Sequence, residues 1–392
     1  MPPELELLLC CARTQLTPAC KAQIRQLVES KLDWQYLLAT AQWHSLTPLL
    51  YWQLKTTCPQ TVPAEIIEQL SVEFANTLQQ NLFLTSQLIK ILKKFQERNI
   101  IAVPFKGSVL AATLYKNIAL RRFHDIDLLI DRKDFFSARE ILEAAGYRTK
   151  PSLEHRQQQL RLSTNYEQDF FNEKLQVSID LHWGISPPFF SFNLSLAELL
   201  QTDRFLIIAG HRVPVLSPEN SLLVLCINGT KEGWAYLQRI CDISELICTF
   251  PDLDWQELFE KSRQANCLDA VLLGLYLAGE LLQAPLPKLA YLELNQHPHL
   301  RNYYPSIRQQ LFETCSARLK PTHLAYFAWK LQSGLGNKLH FLVKMVLPPN
   351  ERDLEWISLP QFLFPLYYPL RLLRLISKYG FNGQKKESIQ HR

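Results

Sequence analysis

The run DIDLLI at 125–130 opens with two aspartates one residue apart, Asp125 and Asp127. In a strand, side chains at i and i+2 share a face, so both carboxylates point one way while Ile126 and Leu128 point the other. Carboxylates ~6–7 Å apart along a strand can grip one magnesium ion, or two ions ~4 Å apart. Magnesium keeps several waters and takes substrate phosphates as ligands, so it asks few groups of the protein. A third carboxylate lies in VSIDLHW, where Val177, Ile179 and Leu181 alternate with Ser178, Asp180 and His182. Asp180 therefore sits on the polar face of its own strand, and three carboxylates converge if that strand lies beside 125–130. A DxD pair alone is as well explained by a solvated strand end. What precedes it narrows the reading.

Lys106-Gly107-Ser108 follows the β-rich run IIAVPF (100–105) and leads into the helical run SVLAATLYKN (108–117). A strand-to-helix junction is where backbone N–H groups and the helix dipole hold phosphate. Glycine there permits close approach, and the Ser108 hydroxyl is placed to bond a phosphate oxygen. Lys106 either touches phosphate or pairs with a nearby carboxylate, and its place beside the glycine favours phosphate. A lone Gly-Ser is ordinary turn chemistry. Strand, Gly-Ser, helix, strand with DxD, and a third aspartate one hairpin later is a far more specific order.

These residues need a small mixed sheet to position them. KDFFSAREILEAAGY (133–147) reads as a helix closed by Gly146. YEQDFFNEKLQVSIDLHW (166–183) reads as a hairpin turning near 172–174. Upstream, PAEIIEQLSVEFANTLQQNLFLTSQLIKILKKFQERN (63–99) keeps helical periodicity over a long span, and LDWQYLLATAQWHSLTPLLYWQL (32–54) is a helical stretch broken near Pro48. Downstream, helices are expected from 217 to 283, then a linker at 284–300 with three prolines, then helices to 346. The sequence thus predicts an α+β protein: helical module 1–99, α/β core 100–215, helical module 216–346, and a proline-interrupted aromatic and basic tail 347–392.

The arrangement resembles the DNA polymerase β-like nucleotidyltransferase superfamily, and within it the uncharacterised nucleotidyltransferases common in bacteria and often found near peptide natural-product genes. The resemblance rests on FKGSVLAATLY (105–115), RRFHDIDLLI (121–130) and IDLHW (179–183), and extends from LDWQYLLATAQWHSLTPLL through CDISELI to LDWQELFEKSRQANC. It implies a polymerase β-like core and an enzyme that moves an NMP from an NTP to an acceptor, with release of pyrophosphate. It also implies two Mg²⁺ ions, with Mn²⁺ as substitute, bridged by Asp125 and Asp127 and completed by Asp180, which helps to deprotonate the acceptor. Arg121 matches the family's arginine and is expected to neutralise triphosphate charge, with Arg122 as alternate. Where the family tends to carry histidine, this chain has Asn228. His182, Asn228 and Lys231 are candidate acceptor or nucleotide contacts, whereas Trp234 reads as core. The acceptor (a peptide or protein side chain, a metabolite or an RNA end) is not legible. A binding or scaffold protein on an inactive nucleotidyltransferase fold is the opposed reading.

Composition removes other classes. Only 12 of 392 residues are glycine, and the chain has no GxGxxG, GxxxxGK[ST] or HExxH, nor the kinase signatures. The nine cysteines form no CxxC pair, and several lie in apolar helical runs, as expected of reduced core thiols in a cytoplasmic protein. Residues 371–392 carry six Lys/Arg and one Glu, which accounts for the whole net charge of +5 and leaves no basic face elsewhere for nucleic acid. In that tail Arg371, Arg374 and Lys378 share a helical face. Contact with an anionic membrane surface is one reading, and docking on the protein's own helices is the simpler one.

Overall fold

The structure is a computed structural model that describes residues 1–149, 155–201, 203–313, 321–332, 334–349, 353, 357, 359 and 361–380. Four short helices open the chain: α1 (Pro3–Cys11), α2 (Pro18–Val28), α3 (Trp34–Trp43) and α4 (Thr47–Thr57). Thr17 and Asp33 cap α2 and α3 by accepting the N–H of Cys20 and of Tyr36. The break expected near Pro48 is the α3–α4 turn, with Pro48 in the first turn of α4, where its missing N–H costs nothing. The long helix α5 (Ala64–Glu97) buries Ile66, Leu70, Thr77, Asn81, Leu84, Leu88, Ile91 and Phe95, a stripe stepping by three and four apart from one gap of seven.

A four-stranded sheet follows, made of β1 (Ala102–Pro104), β2 (Asp125–Ile130), β3 (Glu167–Asn172) and β4 (Val177–His182) in the order β1-β2-β4-β3. Helices α6 (Gly107–Thr113), α7 (Phe135–Ala144) and α8 (His155–Thr164) connect its strands. The central pair β2–β4 is parallel and the outer pairs are antiparallel. The hairpin expected at 166–183 is β3–β4, and its turn is held by Asn172 Oδ1, which accepts the N–H of Lys174 and of Leu175. Gly146, at φ +89°, follows α7 in the left-handed conformation expected of it.

One face of the sheet, with Ile126, Leu128, Ile130, Ile179 and Leu181, packs on Leu84, Leu88 and Phe95 of α5 and on Phe135 and Leu142 of α7. The other face sends Val103 and Leu129 into a larger core shared by the N-terminal helices and the helices after the sheet. Those are α9 (Leu196–Leu200), α10 (Pro218–Lys231), α11 (Leu237–Thr249), α12 (Trp255–Gln264) and α13 (Leu268–Leu282). Leu7, Leu8 and Leu50 meet Leu223, Ile240 and Leu272 in that core, so the two helical flanks are not independent. Trp234 is fully buried, as expected, and lies so close over Gly229 of α10 that a Cβ there would overlap its ring.

Two features depart from expectation. Residues 205–214 form a small hairpin, β5 (Phe205–Ile208) and β6 (His211–Pro214), turning on Ala209 and Gly210 at φ +48° and +78°. Both turn residues are left-handed, the geometry of a two-residue hairpin, but alanine in the first place hides the usual Asn-Gly signal. The stretch 284–300 is not a bare linker. It contains α14 (Lys288–Gln296), which buries Ala290 and Leu294, and the start of the 3₁₀ turn Pro298–Tyr303. Pro287 precedes the first helical residue, where proline starts a helix rather than breaking one. Helices α15 (Tyr304–Glu313), α16 (Pro321–Lys330), α17 (Leu335–Val346) and a last helix, Tyr367–Gly380, complete the described chain.

Among the described residues, no helix is long and apolar enough to cross a membrane. All eight described cysteines are free and all but Cys248 are buried, while Cys315 lies outside the described residues. In the last helix Arg371 and Arg374 both pair with Asp353, and Arg371 also donates to the carbonyls of Met345 and Val346. Two cations of the basic face are therefore turned toward the protein itself. Residues 381–392 lie outside the described residues.

Candidate active site

Parallel pairing of β2 and β4 sets Asp127 directly beside Asp180, with Asp125 opposite Ser178. The odd-numbered residues of β2 and the even-numbered residues of β4 face the helical body, while their apolar neighbours fill the core beneath the sheet. The three aspartates line one cleft of about 760 Å³. Lys106, Gly107, Arg121, Arg122 and His124 border it from the core, and Asn228, Lys231, Glu232, Gln238 and Arg239 border it from α10, α11 and the loop between them. Pro187, Phe189, Phe190, Leu324, Ala328 and Met345 give it an apolar side.

Asp127 is the centre of the polar network. Its Oδ1 accepts from Lys106 Nζ at 2.7 Å and lies 3.1 Å from His182 Nε2. The other ring nitrogen of His182 is 3.2 Å from Glu167 Oε2, off the line of a hydrogen bond. Tyr166 in turn donates its hydroxyl to Glu167, and Lys231 Nζ sits 4.4 Å above the Tyr166 ring while donating to the Ile185 carbonyl. Burial opposes ionisation of Asp127, but the Lys106 ammonium and the His182 ring overcome it and hold the carboxyl well below the usual range. Asp180 lacks such partners. Burial and the charges of Asp127 and Asp125 push it up to about 8. Asp125 is raised for the same two reasons, burial first and then Asp127. Burial, then repulsion from Lys106, brings Lys231 down to about 8.

The geometry corrects two expectations. Arg121 is not a free triphosphate ligand: Nε and Nη2 each donate at 2.7 Å to one oxygen of Asp242 in α11, and Tyr115 donates to that same carboxylate. Both side chains are almost wholly buried, so the fork is spent on joining the core to α11. The Ser108 hydroxyl is not directed at phosphate either. It is buried and bonded at 2.9 Å to Thr85 of α5, outside the residues that line the cleft. Gly107 does line the cleft, at φ +49°. His124 is exposed and meets Gln80, as expected of a loop residue.

Sequence reasoning passed over Arg239, Glu232, Tyr166 and Glu167. Arg239 holds Glu232 through two hydrogen bonds, at 2.8 and 3.0 Å, on the wall of the cleft. A charged residue inside the apolar run YLQRICD was the available signal. Glu167 lies opposite His182 in the hairpin register, so correct pairing of β3 with β4 would have found it.

Metal fit can be judged from donor atoms. Those of Asp127, Asp180 and His182 lie within 4.8 Å of one another, and Asp125 stands outside that tight group. A protein cation, the Lys106 ammonium, already neutralises Asp127 there. A family model described as an uncharacterised nucleotidyltransferase matches residues 30–283. The chain belongs to that family. The match runs from just before α3 to just after α13, so it includes the polar residues of the cleft, while α14 onward, with Leu324, Ala328 and Met345 of the apolar side, lies beyond it. No curated protein matches the chain.

Proposed function

We propose that this nucleotidyltransferase moves a nucleoside monophosphate from an NTP to an acceptor oxygen, with Asp125, Asp127 and Asp180 holding divalent metal. The observation that carries the reading is the side-by-side register of Asp127 and Asp180, with Asp125 on the same face of the sheet, in a cleft bordered by Lys106, Lys231 and Arg239. Mixed carboxylates with room for water suit Mg²⁺ or Mn²⁺. Such ions, when bound, neutralise phosphate charge and stabilise the attacking and leaving oxygens.

The chain's own groups do the rest. Lys106, displaced from Asp127, and Lys231 offer ammonium groups to the triphosphate, while Arg239 supplies a fixed positive charge beside it. Asp180 takes the proton of the acceptor hydroxyl at its carboxylate. The acceptor oxygen bonds to the α-phosphorus as the bond to the β-phosphate bridging oxygen breaks, and pyrophosphate leaves. The acceptor classes remain those named from the sequence: a peptide or protein side chain, a metabolite or an RNA end.

The test incubates the full chain with each α-labelled NTP and Mg²⁺ or Mn²⁺, offering itself, peptides, small hydroxyl compounds and RNA as acceptors. Label transfer with stoichiometric pyrophosphate, lost in Asp127→Asn, is the expected result. Transfer that persists in Asp127→Asn, or none with any NTP and acceptor, overturns the reading and favours a binding protein.

A further inference from the structure

A second group of metal-ligating side chains lies away from the catalytic cleft. Asp269 in the first turn of α13, His297 just after α14 and His299 in the following 3₁₀ turn bring donor atoms within 4.8 Å of one another. His297 Nδ1 is 3.0 Å from Asp269 Oδ1, and His299 Nε2 is 3.3 Å from Asp269 Oδ2. Donors bound at ~2.0–2.1 Å to one ion are themselves ~3.0–3.4 Å apart, which both separations match. A negative charge in a helix's first turn explains Asp269 by itself. Both imidazoles also hydrogen-bond separate oxygens of that one carboxylate, each through a different ring nitrogen, which gathers three ligand atoms at one point. The group opens on its own cavity of about 470 Å³, which leaves room for water to complete a coordination sphere. Lys330 and Lys338 also line that cavity, but their ammonium groups lie over the rings of Tyr326 and Trp329.

We infer that Asp269, His297 and His299 form a binding site for a borderline divalent transition ion of the zinc type, separate from the carboxylate-rich catalytic cleft. Two imidazoles and one carboxylate favour such an ion over Mg²⁺, which prefers oxygen. The ion clips the start of α13, the last helix of the family match, to the turn that begins the C-terminal helices. The cavity is also lined by Leu331 and Gln332, which follow α16, and α16 supplies Leu324 and Ala328 to the apolar side of the catalytic cleft. The site does not depend on the proposed transfer chemistry.

The experiment titrates the metal-free, reduced full chain with Zn²⁺ by calorimetry, in excess Mg²⁺ to occupy the catalytic carboxylates. His299→Ala and the double variant His297→Ala/His299→Ala are run beside it. His299 is half exposed, so the single variant keeps the fold. The expected result is a Zn²⁺ equivalent per chain, weakened about 10- to 100-fold in His299→Ala and lost in the double variant. A Co²⁺-loaded chain should show visible absorption that His299→Ala changes. Zinc uptake equal in wild type and both variants, or no uptake by wild type at all, overturns the inference.

Discussion

Two buried acid–base groups differ in what can reach them, one joining the α/β core to α11 and the other lying within the core itself. At one, Asp242 holds Arg121 through both oxygens and also accepts from Tyr115, with the Arg and Asp side chains 2% and 0% exposed. At the other, Asp127 holds Lys106 and His182 through one oxygen, and the Lys side chain is 13% exposed at the cleft. The first is saturated and almost wholly buried, with only the edge of Arg121 at the cleft. The second keeps a carboxylate oxygen in reserve beside Asp180 and faces the cavity. A buried pair that cannot exchange partners fixes geometry, whereas one that can exchange them is equipped to bind a ligand.

The largest effect expected from this contrast is on transfer. Asp127→Asn should lower kcat by about 10³-fold or more, on the scale of losing a group that meets developing charge. Relief from the neighbouring carboxylates would by itself raise stability. The structure reverses that expectation, because the variant leaves the Lys106 ammonium without its partner. Urea unfolding should therefore show a modest loss of stability beside the collapse of activity. Near-normal kcat would break the comparison at its catalytic end.

At the saturated end, Arg121→Met should cost about 3–5 kcal/mol in urea unfolding, since it strands Asp242 in an apolar interior. The double variant Arg121→Met/Asp242→Leu should recover part of that loss, because two apolar side chains carry no desolvation penalty, the remainder being the Tyr115 hydroxyl left without its acceptor. The nucleotide Kd of the folded protein should stay within a few-fold of wild type. A large loss of nucleotide affinity with unchanged stability would return Arg121 to the triphosphate.

His44 offers a neutral counterpart. Its Nδ1 accepts the N–H of Leu237, the first residue of α11, so a ring from α3's C-cap caps another helix. Its Nε2–H then donates to the Leu311 carbonyl. Burial lowers its pKa from 6.5 to about 4. Between those values the unfolded chain takes a proton that the folded ring refuses, so stability falls as pH drops from 6.5 to about 4. Above 6.5 both states are neutral and the contribution is complete. The loss should reach ~3 kcal/mol, and His44→Gln should flatten that part of the stability–pH curve. An unaltered slope would deny His44 this role.

Much of the site was legible because period-two alternation fixes which side of a strand a residue faces. Asp125 and Asp127 could be placed on one face, and Asp180 on the polar face of its own strand, before any pairing was known, and the parallel β2–β4 register then joins them. Asn228 and Lys231 were also legible, as polar interruptions of a buried helix. The partners of Arg121 were not. Four residues before Asp125, an arginine reads equally as a phosphate ligand or as a strut, and only the approach of α11, over a hundred residues later, decides it. The 205–214 hairpin and α14 were missed for local reasons, an alanine in a left-handed turn and prolines read as breaks.

The smallest effect concerns Ser108, where sequence and structure disagree most directly. Strand, Gly-Ser and helix together place a hydroxyl where phosphate binds, yet this hydroxyl faces Thr85. Thr85 Oγ1 already donates to the Asn81 carbonyl, so it can receive the Ser108 proton but cannot also give one. Ser108→Ala thus removes one donor and leaves Thr85 with its own donation intact. The cost should be about 0.5–1.5 kcal/mol, the net value of one internal hydrogen bond without a stranded donor. Thr85→Val is the useful partner, because it strands the Ser108 hydroxyl instead and should cost at least as much. If the bond is purely structural, both variants lose a similar small stability and keep the nucleotide Kd of the wild type in Mg²⁺. If the hydroxyl swings toward phosphate on binding, Ser108→Ala weakens nucleotide about tenfold, the worth of one charge-assisted hydrogen bond. Thr85→Val then tightens binding, because it frees that hydroxyl in advance.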